Sequence, residues 1–171
     1  IFFFNNSLFI ANTILSITGT SKINENITFS KNKNYFISFN GEVFNYKKSN
    51  NLFFKNKNYS TDTEVLVNLH EKIDFNKIPL LLNGMFVYVV LDKNKRILKT
   101  VSDPQGEKTI YYYEDNKYFL ISSTVKSILS FLKYSNINIE IDRQVLKNYF
   151  STRHYMPIKK TCFKNIKILG N

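Results

Sequence analysis

Phe39-Asn40-Gly41-Glu42-Val43-Phe44-Asn45-Tyr46 sets an amide, a glycine and a carboxylate side by side at the end of an apolar run. About twenty residues on, Ser60-Thr61-Asp62-Thr63-Glu64-Val65 adds a second carboxylate at the start of a helical pattern. An Asn side-chain N–H₂ beside a glycine N–H makes a donor pair suited to a developing oxyanion. Glycine lets the backbone turn its N–H toward a ligand. Glu42 and Asp62 could together hold an ammonium group, so the set suits a small zwitterion bearing a carbonyl. Two plainer readings use the same residues: Asn-Gly is a favoured hairpin turn, and Asp62 is a good helix cap.

The elements that must position these groups follow from residue pattern. Runs rich in β-branched and aromatic residues predict strands over Leu8–Ile17, Tyr35–Phe39, Met85–Leu91, Ile97–Val101, Thr109–Tyr113 and Tyr118–Ser122. Asp92-Lys93-Asn94-Lys95, Asp103-Pro104-Gln105-Gly106 and Glu114-Asp115-Asn116 read as turns, and the short loops from Met85 onward predict an antiparallel meander. Helices are predicted over Thr63–Lys72 with Asp62 or Thr61 as N-cap, Phe75–Leu82, Ser123 or Thr124 to Leu132, and Arg143–Phe150 behind Asp142. Strands and helices without strict alternation indicate an α+β fold, and no repeat or linker divides residues 1–171 into more than one domain.

Composition bounds the function classes. The chain has 171 residues, 43% hydrophobic and 16% aromatic, enough for a buried core. No apolar run reaches the roughly eighteen residues of a membrane helix, and Ile1–Phe4 is too short for a signal peptide. The net charge is +11, yet the lysines lie among asparagines, as in Lys31-Asn32-Lys33-Asn34 and Lys55-Asn56-Lys57-Asn58, and the only arginines are Arg96, Arg143 and Arg153. That scatter reads as polar turns, not as a nucleic-acid face. Cys162 is the sole cysteine, so no internal disulfide framework exists and a reducing cytoplasm is the default compartment. His70 and His154 lack ligands at metal-binding spacing and read as packing or surface residues.

The order of segments carries a resemblance. Phe39 to Tyr46, Thr61 to Val65, Leu82-Asn83-Gly84-Met85-Phe86-Val87-Tyr88, Asp103 to Tyr112, Ser123 to Leu129 and Ile141-Asp142-Arg143 together resemble the class II glutamine amidotransferase domain of glutamine-hydrolysing asparagine synthetase. The resemblance runs from about Phe9 to Gly170. It implies a four-layer αββα N-terminal-nucleophile sandwich, two antiparallel sheets flanked by helices. It implies a glutaminase that passes ammonia to an ATP-dependent synthetase domain, where aspartate becomes asparagine. The implied nucleophile is a cysteine at the mature N-terminus, with its own α-amino group as base. By position, Asn40 and Gly41 correspond to oxyanion-hole donors, and Glu42, Asp62 and the backbone of Ile17 to the glutamine-binding groups.

The same comparison shows departures. The chain opens at Ile1 and reads as a piece cut before the cysteine and, beyond Asn171, before the synthetase domain; ATP and magnesium belong to that domain, with no cofactor or metal in this one. Cys162 lacks the free α-amine the chemistry needs and reads as a small packed residue. Ile14 stands where the family has an arginine for the glutamine carboxylate, Glu25-Asn26 replaces a Gln-Pro, and Ser102 and Thr109 replace the Arg and Pro of the Asp103–Tyr111 motif. Two readings result: a glutaminase domain, or a degenerate scaffold of a related synthetase, such as a β-lactam synthetase-like or peptide- or sugar-amidating enzyme. Glutamine and the synthetase domain are the expected partners, nucleic acid and membrane are not, and a homodimer stays open.

Overall fold

The computed structural model describes residues 2–4, 7–11, 28–55, 57, 59–152 and 160–169. They fall into two compact units, residues 1–107 and 108–171. The first contains strands β1 (Phe2–Phe4), β2 (Leu8–Ile10), β3 (Thr28–Phe29) and β4 (Tyr35–Val43), then helices α1 (Tyr46–Phe53) and α2 (Asp62–Leu69). A 3₁₀ turn (Phe75–Lys77) leads into α3 (Ile78–Leu81), followed by strands β5 (Gly84–Asp92) and β6 (Ile97–Ser102). β1 and β2 form an antiparallel pair, and β3-β4-β5-β6 a four-stranded antiparallel sheet. Ala11 ends the described part of the run predicted as strand over Leu8–Ile17, so Ile14 and Ile17 lie outside the described residues, as do Glu25 and Asn26.

The long pair at the centre of this sheet joins Tyr35–Val43 to Gly84–Asp92, residue for residue. Period-two alternation sends Ile37, Phe39 and Val43 of β4, with Phe86, Tyr88 and Val90 of β5, to one face. That face packs with Val65, Leu66, Val67 and Leu69 of α2, Phe53 and Phe54, and Ile78. Thr61, not Asp62, is the N-cap of α2: its Oγ1 accepts from Glu64 N at 3.2 Å, and Glu64 Oε2 accepts from Thr61 N at 3.3 Å. This reciprocal capping box satisfies two of the helix's orphan N–H groups.

The second unit contains β7 (Ile110–Glu114), β8 (Phe119–Ser122), α4 (Val125–Tyr134), α5 (Arg143–Thr152) and β9 (Ile166–Leu169). Its antiparallel sheet has the order β8-β7-β9, and Tyr113, Ile128, Leu132 and Ile166 form its core. Thr124 caps α4, and Asp142 Oδ1 accepts from Gln144 N and Val145 N at the start of α5.

Fold class follows expectation: α+β, two antiparallel sheets with helices, as the N-terminal-nucleophile resemblance implies. Several expectations need correction. The meander expected from Met85 onward divides, because β5–β6 and β7–β8 are hairpins of different sheets. Asp103–Gly106 separates them because Asp103 folds its own chain into a tight turn. The helix expected over Phe75–Leu82 starts as a 3₁₀ turn, with Asp74 Oδ1 accepting from Asn76 N at 2.9 Å and Pro79 in the first turn of α3. α1, in the polar segment Tyr46–Phe53, had no sequence-based expectation; Tyr46 and Phe53 hold it against the core. Cys162 is half-buried and free, not a core residue.

Candidate functional site

Asn40, Gly41 and Glu42 lie inside β4, opposite Val87, Phe86 and Met85. The strand continues to Val43, so Asn40-Gly41 is not a hairpin turn. Gly41 has φ +135°, a conformation that side-chain-bearing residues rarely adopt. A Cβ there would stand 2.1 Å from Met85 O and 2.6 Å from Phe86 Cα. Gly84 is its counterpart across the pair: a Cβ on it would stand 2.1 Å from Glu42 O. Two glycines thus let the strands approach backbone to backbone where the candidate donors sit.

The ladder decides where Gly41's N–H points. In an antiparallel strand the N–H and C=O of one residue share a side, and successive residues alternate. Phe44 N donates to Asn83 O at 2.8 Å and Lys93 N to Asn34 O at 2.9 Å, so even-numbered residues of β4 face β5. Ser30 N donates to Tyr35 O at 2.9 Å and Val43 N to Asp62 Oδ2 at 3.0 Å, so odd-numbered residues face the other way. Phe86, opposite Gly41, agrees: its C=O accepts from Asp103 N at 2.8 Å and its N–H donates to Asp103 Oδ2 at 3.2 Å, both away from β4. Asn40 faces β5, and its trans peptide sets the following N–H opposite its C=O, so Gly41's N–H points off the side of β4 that carries β3 whatever its own φ. Among the described residues β3 reaches only to Ile37. Asn40 and Glu42 share the sheet face opposite the helices, Asn40 exposed and Glu42 partly so.

Asp62 arrives from the helix side. It is the first residue of α2 and 6% exposed. Besides Val43 N, its carboxylate accepts from Thr63 N at 2.7 Å and Thr63 Oγ1 at 3.2 Å, both on Oδ1. A carboxylate offers about four lone-pair positions, so these bonds leave roughly one. Asp62 thus ties the start of α2 to the end of β4, one residue past Glu42, a role that no spacing in the sequence announced.

Asp103, which the sequence placed in a turn and in the motif running to Tyr111 without a role, is a functional candidate. It is fully buried, and its carboxylate accepts from Phe86 N and, through Oδ1, from Glu107 N at 3.1 Å. His70 at the end of α2 is a packing residue: its ring lies 5.6 to 5.8 Å from those of Tyr35, Phe75 and Tyr88. Burial first, and then the Lys99 charge, push its pKa down to about 4. Burial also drives the Tyr88 hydroxyl upward. His70 Nε2 and Tyr88 Oη are buried without a hydrogen-bond partner. No group of three candidate metal ligands occurs among the described residues, and His154 lies outside them. No described helix is long and apolar enough to cross a membrane. An open groove of about 340 Å³ beside Leu52, Phe53, Phe54, Lys55, Lys57 and Lys72 shares no residue with the Asn40–Glu42 stretch.

Comparison with known proteins adds a family model described as a glutamine amidotransferase domain, which matches residues 1–171. The chain is 33% identical over 129 residues, 75% of its length, to a Methanocaldococcus jannaschii protein assigned by name to the glutamine-hydrolysing asparagine synthetases. It is 31% identical over 140 residues to asparagine synthetase [glutamine-hydrolyzing] 1 of Bacillus subtilis and 30% identical over 141 residues to that organism's asparagine synthetase 3, covering 80% of the chain each time. These matches span only 24%, 21% and 22% of the respective relatives.

Proposed function

From the premise that this chain belongs to the glutamine amidotransferase domain family, we propose that it binds free glutamine and supports hydrolysis of the side-chain amide to glutamate and ammonia. The observation that carries the reading is the direction of Gly41's N–H, aimed off β4 with the Asn40 amide one residue away on an exposed position. When a nucleophile adds to the amide carbon, negative charge collects on the former carbonyl oxygen. In this reading the Asn40 amide and the Gly41 N–H donate to that oxygen, since donors held ready stabilise such charge without having to reorganise. Glu42 and Asp62 are the anions assigned to the glutamine ammonium. Glu42 is partly exposed, and Asp62 keeps about one acceptor position after binding Val43 and Thr63. Two anions around one ammonium select a free amino acid over a simple amide.

The nucleophile in this reading is a cysteine thiol preceding Ile1, with its own α-amine as the base. Such an amine titrates near neutrality. Ammonia would then pass to an ATP- and magnesium-dependent synthetase domain of the same protein, forming asparagine from aspartate in the cytoplasm. The names of the relatives support this assignment. The test is glutamate release from glutamine by the full-length protein. Asn40→Ala is expected to lower kcat by about a hundred- to a thousand-fold without unfolding the domain. Full activity in that variant would refute the assignment.

Ile14 favours a second reading, because an aliphatic side chain cannot pair a carboxylate as arginine does. On that reading the domain is a non-catalytic scaffold. Full-length protein that releases no glutamate and shows no calorimetric binding of glutamine would establish it over the first.

A further inference from the structure

We infer that Asp103 is a positioning residue for the oxyanion donors, acting through Phe86; the inference rests on the proposed role of Asn40 and Gly41. Asp103 lies one residue past β6, at the position where the register continues from Val87–Ser102 to Phe86. Its main-chain N–H and its carboxylate together take both polar groups of the Phe86 backbone, at 2.8 and 3.2 Å. Its other carboxylate oxygen and its C=O close the following turn, accepting from Glu107 N at 3.1 Å and Gly106 N at 3.0 Å. Gly106 has φ +68°, which allows that turn. The side chain is fully buried, so the turn and strand are tied by an anion shielded from water.

The link to the site is steric. The Gly41 backbone rests against Met85 O and Phe86 Cα so closely that a single methyl group does not fit between them. Any shift of Phe86 along or out of the sheet is therefore transmitted to the Gly41 peptide. Gly41 in turn has little conformational resistance of its own, since glycine is permissive. Its donor direction is held by its neighbours: Asp103 through Phe86 on one side, and Asp62 through Val43 on the other. Donor geometry matters steeply in such a site, and a misplacement near 1 Å costs about a hundredfold in rate. Asp103 does not reach the reacting atoms, so it sets where the donors point and leaves the binding of the amino-acid end alone.

The experiment compares full-length wild type with Asp103→Asn and Asp103→Ala in glutamate release, with amide exchange followed at Phe86 and the NMR amide resonance followed at Gly41. The near-isosteric asparagine guards against simple unfolding of the alanine variant. Asn places an N–H₂ against one of the two backbone donors, and Ala removes both acceptors. The expected result is kcat lowered by about ten- to a hundredfold, more in Ala than in Asn, with KM within about twofold. Faster exchange at Phe86 and a displaced Gly41 amide resonance are expected alongside. A general loss of stability would instead lower the active fraction and speed exchange throughout the unit. Unchanged kcat in both variants, or a rise in KM alone, overturns the inference. Wild-type protein that releases no glutamate overturns the proposed function instead; the coupling is then decided by the Gly41 amide resonance, and a resonance undisturbed in both variants overturns it.

Discussion

Replacing Asp62 by asparagine is expected to loosen the join between α2 and β4 whichever way the new amide is turned. Oδ2 accepts from Val43 N at 3.0 Å, and Oδ1 accepts from Thr63 N at 2.7 Å and Thr63 Oγ1 at 3.2 Å. An amide has one oxygen and one N–H₂, so one of these positions becomes a donor facing a donor. The lower-cost choice keeps the oxygen at Thr63, where two bonds are made, and sets N–H₂ against Val43. Val43 is 1% exposed, so its N–H cannot turn to water instead. Loss of a hydrogen bond to a charged group costs about 1.5–3 kcal/mol, and a stranded buried donor about 1–3 kcal/mol. These overlap, since both describe the same N–H, so the expected local cost is about 1.5–3 kcal/mol. At about 1.4 kcal/mol per factor of ten, exchange of the Val43 amide should accelerate by about 10- to 150-fold. Amide hydrogen exchange of the full-length protein reads this directly and does not require the whole chain to unfold in one step. Val43 protection that is the same in both proteins would refute the argument. In the glutaminase assay the same variant is expected to raise KM for glutamine, because an anion is lost beside the assigned ammonium position.

Other expectations follow from the same geometry. Gly41→Ala and Gly84→Ala should each destabilise the β4–β5 pair, with Gly41 the worse because its φ of +135° adds roughly 1–3 kcal/mol of backbone strain to the clash; equal thermal stability of the two variants would contradict this. Thr61→Ala should cost about 0.5–2 kcal/mol through loss of the capping box on α2, measured by denaturant unfolding. His70 gives a pH signature of definite sign. Its folded pKa of about 4 lies below its usual 6.5, so its contribution is present above pH 6.5 and is lost as the pH falls toward 4, about 3 kcal/mol in all. The stability difference between wild type and His70→Phe should therefore shift by about 2 kcal/mol against wild type between pH 7 and pH 4.5; parallel pH profiles would show that His70 is not buried neutral.

Much of the architecture was legible because local patterns and burial agree. β5 reads as a strand from Met85-Phe86-Val87-Tyr88-Val89-Val90-Leu91, and the structure extends it by one residue at each end. α4 was legible from Thr124 and the spacing of Val125, Ile128, Leu129 and Leu132. α1 was not legible, since its Lys-Lys-Ser-Asn-Asn stretch is a poor helix former and only tertiary packing of Tyr46 and Phe53 holds it. β9 was also missed, because Ile166-Lys167-Ile168-Leu169 is too short a run to stand out until it pairs with β7.

The sequence by itself determined the kinds of groups at the candidate site: an amide, a glycine and a carboxylate in succession, a second carboxylate ahead of a helix, and a motif order that matches one family. Residue type and order are local properties, and chemistry can be read from them directly. Only the tertiary structure decided what those groups are free to do. Whether Asn40-Gly41 turns the chain or stays in a strand depends on a partner strand more than forty residues away. Whether Asp62 is a cap or a tie depends on Val43, and whether Asp103 merely opens a turn depends on Phe86. Each of these is settled by pairing register, which fixes the side to which every N–H points, and register belongs to two strands together and to neither alone.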